Sequence, residues 1–85
     1  MLGTVALEVR ALSSGEAAFD LGMAFASGSG GSPFDLVQAH RWFNVAVLAG
    51  YRPALAMRAE VAAEMSGDEV AEAQRLARTT VKRAA

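Results

Sequence analysis

The chain has 85 residues, one histidine, no cysteine and a net charge of −1 from 8 basic and 9 acidic residues. This length allows a single domain, and a hydrophobic content of 53% is too high for a disordered tail. The near-neutral charge argues against a nucleic-acid partner, and the absence of cysteine and of a second histidine argues against disulfides and a metal site.

Residues 1–12 are predicted to form a lead segment, either a frayed strand or the leading turn of a helix, because apolar residues alternate between positions 5 and 9. Glu8 and Arg10 interrupt this segment too early for a secretory signal. No window reaches the roughly 18 uncharged apolar residues of a membrane span. We therefore expect a cytoplasmic protein without a membrane partner.

A first helix is predicted from a capping box at Ser13 and Glu16 to about Ser27. In such a box the serine accepts a hydrogen bond from a backbone N–H while the glutamate reaches back to the cap. Residues 28–33 then form a turn, because glycines accept positive φ and proline stops helix propagation. The apolar stripe of this helix is Ala18, Leu21, Gly22 and Phe25, with Phe19, Met23 and Ala26 on a second side.

A second helix is predicted from a cap at Asp35 to about Ala49, with Gly50 in the position of a left-handed C-terminal cap. This helix is apolar on two sides, a pattern that is typical of burial between neighbouring elements. Its two apolar sides are Leu36, Ala39, Phe43, Ala46 and Val47, and Trp42, Val45 and Ala49.

Two further helices are predicted over about residues 53–64 and from a second capping box at Ser66 and Glu69 to about Lys82. The last helix is acidic in its first half and basic in its second, which complements the helix dipole. The expected core residues are Leu55, Ala59 and Ala62 in the third helix, and Val70, Ala73, Leu76, Ala77 and Val81 in the fourth.

Two similar segments indicate an internal repeat. Residues 35–42 and 69–76 share an acid, an aliphatic residue, an alanine, an arginine and a large apolar residue at matching places, 34 positions apart. A period in the mid-thirties is typical of helix–turn–helix repeats. The sequence therefore favours helical hairpins over a simple bundle.

The first unit carries a spaced series of small and aromatic residues: Leu21, Gly22, Phe25, Gly28, Gly30, Asp35, Ala39, Trp42, Phe43, Ala46 and Gly50. This series resembles the Sel-one-like repeat family, a relative of the tetratricopeptide repeats. The resemblance covers about residues 16–51, and about residues 52–82 resemble a degenerate second unit that lacks the glycine turn and the tryptophan. It implies an all-α domain over residues 13–85, with two antiparallel hairpins stacked as a short superhelix. It also implies an adaptor or scaffold without catalysis.

The number of repeats suggests how such a module would bind. Stacked repeats usually need three or more units to bury their faces, and this chain has about two. We therefore expect an exposed apolar surface for a protein or peptide partner, or for a second copy of the chain. The alternative is a small structural or regulatory protein that acts as a homodimer. The residues predicted for this surface are Phe19, Met23, Ala26, Met57 and Val61.

No motif in the chain indicates catalysis or cofactor binding. The turn at residues 28–32 lacks a Walker lysine and follows a helix rather than a strand. His40 and Asp35 are five residues apart on one helix and do not face each other, which argues against a catalytic triad with Ser32. His40 is therefore expected to pack between helices. We expect no catalytic residue, no cofactor and no metal.

Overall fold

The computed structural model describes Glu8, Ala11, Leu12, residues 14–29, Gly31 and residues 33–84. The chain is all-α, as predicted, and its described part contains no strand. The described residues include four helices, which are α1 (Gly15–Ser27), α2 (Leu36–Leu48), α3 (Ala54–Ala62) and α4 (Gly67–Ala84). Most of the lead segment 1–12, together with Ser13 and the motif residue Gly30, lies outside the described residues.

Helix α2 is the central element, and it packs against each of the other three helices. Because its apolar residues lie on two sides, burial between several neighbours follows. Trp42 and Phe43 are the largest fully buried side chains. The prediction that this helix lies between neighbours is confirmed. Its buried residues are Ala39, His40, Trp42, Phe43, Asn44, Val45 and Ala46.

Close packing of α1 on α2 depends on Gly22. A Cβ atom at this position would lie 2.6 Å from Cδ1 of Phe43, so any larger residue collides with the ring. The Phe43 ring in turn packs against Phe19, with ring centroids 5.6 Å apart. Ala39 and Ala46 are fully buried on the facing side of α2. The predicted core stripe of α1 is buried throughout: Ala18, Leu21, Gly22 and Phe25.

The N-terminal cap of α1 differs from the prediction. Ser14, rather than Ser13, is the cap, and its Oγ accepts a hydrogen bond from the backbone N–H of Ala17 at 3.0 Å. Glu16 then falls on the second helical residue, where its charge favours the helix dipole but cannot close a capping box. The predicted box is therefore wrong by one residue.

The other helix ends follow the sequence signals. Asp35 caps α2 by accepting from the N–H of Gln38 at 3.1 Å. Gly28 ends α1 with φ of 71°, and Gly50 follows α2 with φ of 90°. Both angles lie in the left-handed region that favours glycine.

A complete capping box starts α4, as predicted. The N–H of Glu69 donates to Ser66 Oγ at 3.1 Å, and the N–H of Ser66 donates to Glu69 Oε1 at 2.8 Å. Two otherwise unpaired backbone donors are thus satisfied reciprocally.

The predicted inward face of α3 is wrong. Leu55 and Ala59 are exposed, whereas Ala54 and Val61 are buried against the core. Residues 54 and 61 lie two turns apart on one face, and Leu55 is rotated by about 100° from it. An alanine-rich helix of nine residues offers little contrast from which to choose the buried face.

The last predicted core residue of α4 is also wrong. Ala73 and Ala77 are fully buried, and Val70 and Leu76 are half-buried, but Val81 is exposed. Val81 lies beside the end of α2, which stops at Leu48 and leaves this part of α4 uncovered. No helix in the described part of the chain combines the length and apolar character needed to cross a membrane.

Candidate functional site

An apolar groove lies where the end of α2 meets the last turns of α4 and the residues that precede α1. Its volume is about 270 Å³, and it is open to solvent. Three elements that are far apart in the sequence form its walls. The lining residues include Leu12, Ser14, Val45, Leu48, Ala49 and Val81.

Three of the large apolar side chains that line the groove are exposed to solvent. Leu12 is 46% exposed, Leu48 is 56% exposed and Val81 is 37% exposed. A single exposed leucine is ordinary on a protein surface, but a contiguous apolar set in a concavity is typical of a binding surface. Leu12, Leu48 and Val81 therefore form one exposed apolar surface and are not isolated exposed residues.

Among the described residues that line the groove, none has a charged side chain. Ser14 is its polar side chain, and the Oγ atom already accepts the capping hydrogen bond from Ala17. Small-molecule sites are usually about 300–1,000 Å³ and contain several convergent polar groups. This groove is smaller and lacks such groups, so its chemistry suits the burial of one or two apolar side chains.

The surface predicted from the sequence is not brought together as one exposed patch. Val61 is buried at 5% exposure, so its assignment to a partner surface is wrong. Phe19, Ala26 and Met57 are half-buried and pack against the core. Met23 is exposed at the opposite side of α1 from its buried stripe.

For Phe19, the physical cause of this difference is the packing around Tyr51. The Phe19 ring packs against Tyr51 as well as Phe43, with a centroid distance of 5.3 Å to the tyrosine. This tyrosine follows the Gly50 turn and packs on the side of α1 that contains Phe19, which the sequence predicted to be exposed. Phe19 and Tyr51 are much further apart in the sequence than one helical period. Periodicity alone therefore could not predict their contact.

A buried polar cluster joins α2 to α3. His40 is 2% exposed and its Nδ1 atom has no hydrogen-bond partner within the described structure. Arg58 donates from Nη1 to Oδ1 of the buried Asn44 at 2.6 Å. Burial, and then the charge of Arg58, hold the pKa of His40 below its ordinary value. His40 thus packs between helices as a neutral side chain.

His40 does not take part in a catalytic triad with Asp35 in this structure. The carboxylate of Asp35 caps α2 through Gln38, and Ser32 lies outside the described residues. Among the residues that can be placed, no cluster of three histidine, cysteine or acidic side chains is arranged to hold a metal ion.

Arg41 links α2 to α4 beside the groove. Its guanidinium lies 4.6 Å from the centroid of the Trp42 ring, a cation–π distance. Its Nε and Nη2 atoms donate to Oγ1 of Thr80 at 3.1 and 2.9 Å. These contacts fix the part of α4 that immediately precedes Val81, and hence the position of one wall of the groove.

Comparison of the chain with protein-family models, with curated proteins and with solved structures found no match.

Proposed function

We propose that the chain is a non-catalytic protein–protein interaction module, an adaptor or scaffold of the Sel-one-like repeat type that works in the cytoplasm. The observation that carries the proposal is the exposed apolar groove that contains Leu12, Leu48 and Val81. The described part of its lining offers burial to apolar side chains and no group for acid–base chemistry. A polypeptide partner fits this chemistry better than a polar substrate does.

The energetics support a protein partner of ordinary interface size. Covering one large apolar side chain contributes about 1.5–3 kcal/mol, and Leu48 is more than half exposed in the free chain. Specific interfaces bury about 1,200–2,000 Å² in total. The groove therefore acts as an anchor point within a wider contact rather than as the whole interface.

The repeat resemblance adds support to the proposal. Gly22, Phe43 and Trp42 have the packing roles that a Sel-one-like hairpin needs: a close helix approach and large side chains in the shared core. Their burial leaves them unavailable to a partner. We therefore assign binding to the end of the hairpin, where the buried core residues of α2 are followed by the exposed Leu48.

Affinity capture with surface variants tests the proposal. Leu48→Asp places a charge in the groove, and Leu55→Asp is the matched control because Leu55 is exposed to a similar degree on α3. We expect the unmodified chain and the control to capture the same protein, and Leu48→Asp to lose it. Equal capture by all three chains, or no capture by any of them, would contradict the proposal.

The mass of the captured species separates the two candidate functions. An adaptor captures a different protein. A second copy of the chain as the only capture would instead support the small homodimeric protein that the sequence left as an alternative. Thermal melting of each variant shows that it is folded, so that a loss of capture reports on the surface.

A further inference from the structure

The second half of α4 is basic, and two of its cations form no ion pair with any residue that the structure describes. No acidic residue follows Glu72 in the sequence. Arg75 is neutralised by Glu72, with Nη2 and Oε2 2.7 Å apart, and this is the one ion pair within the part of the chain that the structure describes. Arg78 and Lys82 are exposed. Their charges are available to a molecule that docks nearby.

These two cations are close to Val81 on α4, outside the described residues that line the groove. Arg78 lies one turn before Val81 and on the same side of α4, because residues three apart are neighbours on a helix surface. Lys82 follows Val81 directly and is rotated from it by about 100° about the helix axis, towards solvent. Arg83 is turned away from Val81 by about 160°. We call Arg78 and Lys82 the basic edge of the groove.

We infer that the groove binds an acidic peptide segment of a partner protein. One or two of its large apolar side chains enter between Leu48 and Val81, and neighbouring Asp or Glu side chains lie over the basic edge. The inference rests on the proposed function and specifies the chemistry of its partner. Charge at the border of an apolar site directs the orientation and the rate of binding more than it adds affinity.

The shape of this region favours a peptide over an anionic membrane. The apolar side of α4 is packed on α2, with Ala73 and Ala77 fully buried, so it is not free to enter a lipid surface. Recognition of anionic lipid headgroups typically uses clusters of about four to eight cations, and the basic edge has two. A concave apolar site with a short charged border fits a side-chain anchor.

Selection from a displayed random-peptide library tests the inference, with the full chain as bait and Leu48→Asp as counter-selection. We expect the enriched peptides to carry Asp and Glu beside large apolar residues. Their affinity should fall with added salt and by about tenfold in the double variant Arg78→Glu and Lys82→Glu. The control Arg83→Glu, on the other side of the same helix end, should leave the affinity nearly unchanged.

The outcomes separate the inference from the proposed function. Peptides that depend on Leu48 but are neutral or basic would overturn the inference and leave the proposed function standing. No peptide that depends on Leu48 would count against both. Binding to phosphatidylserine-containing vesicles, absent with pure phosphatidylcholine, would also overturn the inference if it needs the basic edge and survives Leu48→Asp.

Discussion

Gly22 and Phe43 fit together so closely that a single added carbon would not fit between them. The aromatic ring of Phe43 occupies the place that a side chain at position 22 would need, at 2.6 Å from an ideal Cβ. This contact sets the spacing of α1 and α2. Because α2 is also the helix on which α3 and α4 pack, the spacing matters for the whole domain.

Replacing Gly22 with alanine is therefore expected to destabilise the chain, although alanine favours helix by about 1 kcal/mol. Forcing a methyl group into a packed core costs about 1–3 kcal/mol, and the neighbouring atoms are part of a buried ring. Urea denaturation measures the change in the free energy of unfolding. The control Gly67→Ala has no heavy atom within 4 Å of the new Cβ and should not lower stability.

Replacing Trp42 with alanine should remove most of the stability of the domain. The side chain is 1% exposed at the centre of α2, and such truncations cost about 3–5 kcal/mol. A domain of this size has few kcal/mol to lose. We expect the cooperative transition seen by circular dichroism to move far down or disappear. The exposed Phe34 offers a matched control, because Phe34→Ala should change the melting temperature little.

The sequence predicted the elements with a strong contrast between apolar and polar faces and failed where that contrast is weak. The buried stripe of α1 follows from Leu21 and Phe25 at helical spacing. In α3 the alternatives Ala54 and Leu55 are both apolar, so their order of burial depends on how the helix docks on α2. Propensity and periodicity carry no information about that docking.

The groove was beyond sequence reasoning for a related reason. Leu12, Leu48 and Val81 are separated by more than thirty positions along the chain, and only the folded arrangement brings them together. Each was an ordinary apolar residue in its own segment. The one signal in the sequence is the position of Val81, which ends the apolar stripe of α4 beyond the part that α2 covers.

Stability is expected to fall as the pH drops below about 6.5, the ordinary pKa of histidine. Burial and Arg58 lower the pKa of His40 in the folded chain, so between the two values the unfolded chain binds more protons. The stabilising contribution is therefore complete above the unfolded pKa and is lost as the pH falls towards the folded one. Urea denaturation at a series of pH values measures it.

His40 is the only histidine, which makes the assignment direct. In His40→Gln, the free energy of unfolding should change less with pH between pH 7 and the pH at which carboxylates begin to titrate. A dependence of the same size in this variant would show that another group causes it.

Removing the charge of Arg58 should raise the pKa of His40, because that charge is the second cause of its lowered value. Arg58→Met keeps much of the side-chain length while leaving Asn44 without its hydrogen-bond donor. An NMR titration of the imidazole measures the shift directly. Arg52→Met, at an exposed position in the turn before α3, should leave the pKa of His40 where it is.

Site-specific photo-crosslinking in cells tests most directly the claim that the groove holds a protein partner. A photoreactive residue at position 48 lies in the groove, and one at position 55 lies on the exposed side of α3. We predict a discrete protein adduct from position 48 and none from position 55. No adduct from position 48, or the same adducts from both positions, would contradict the account.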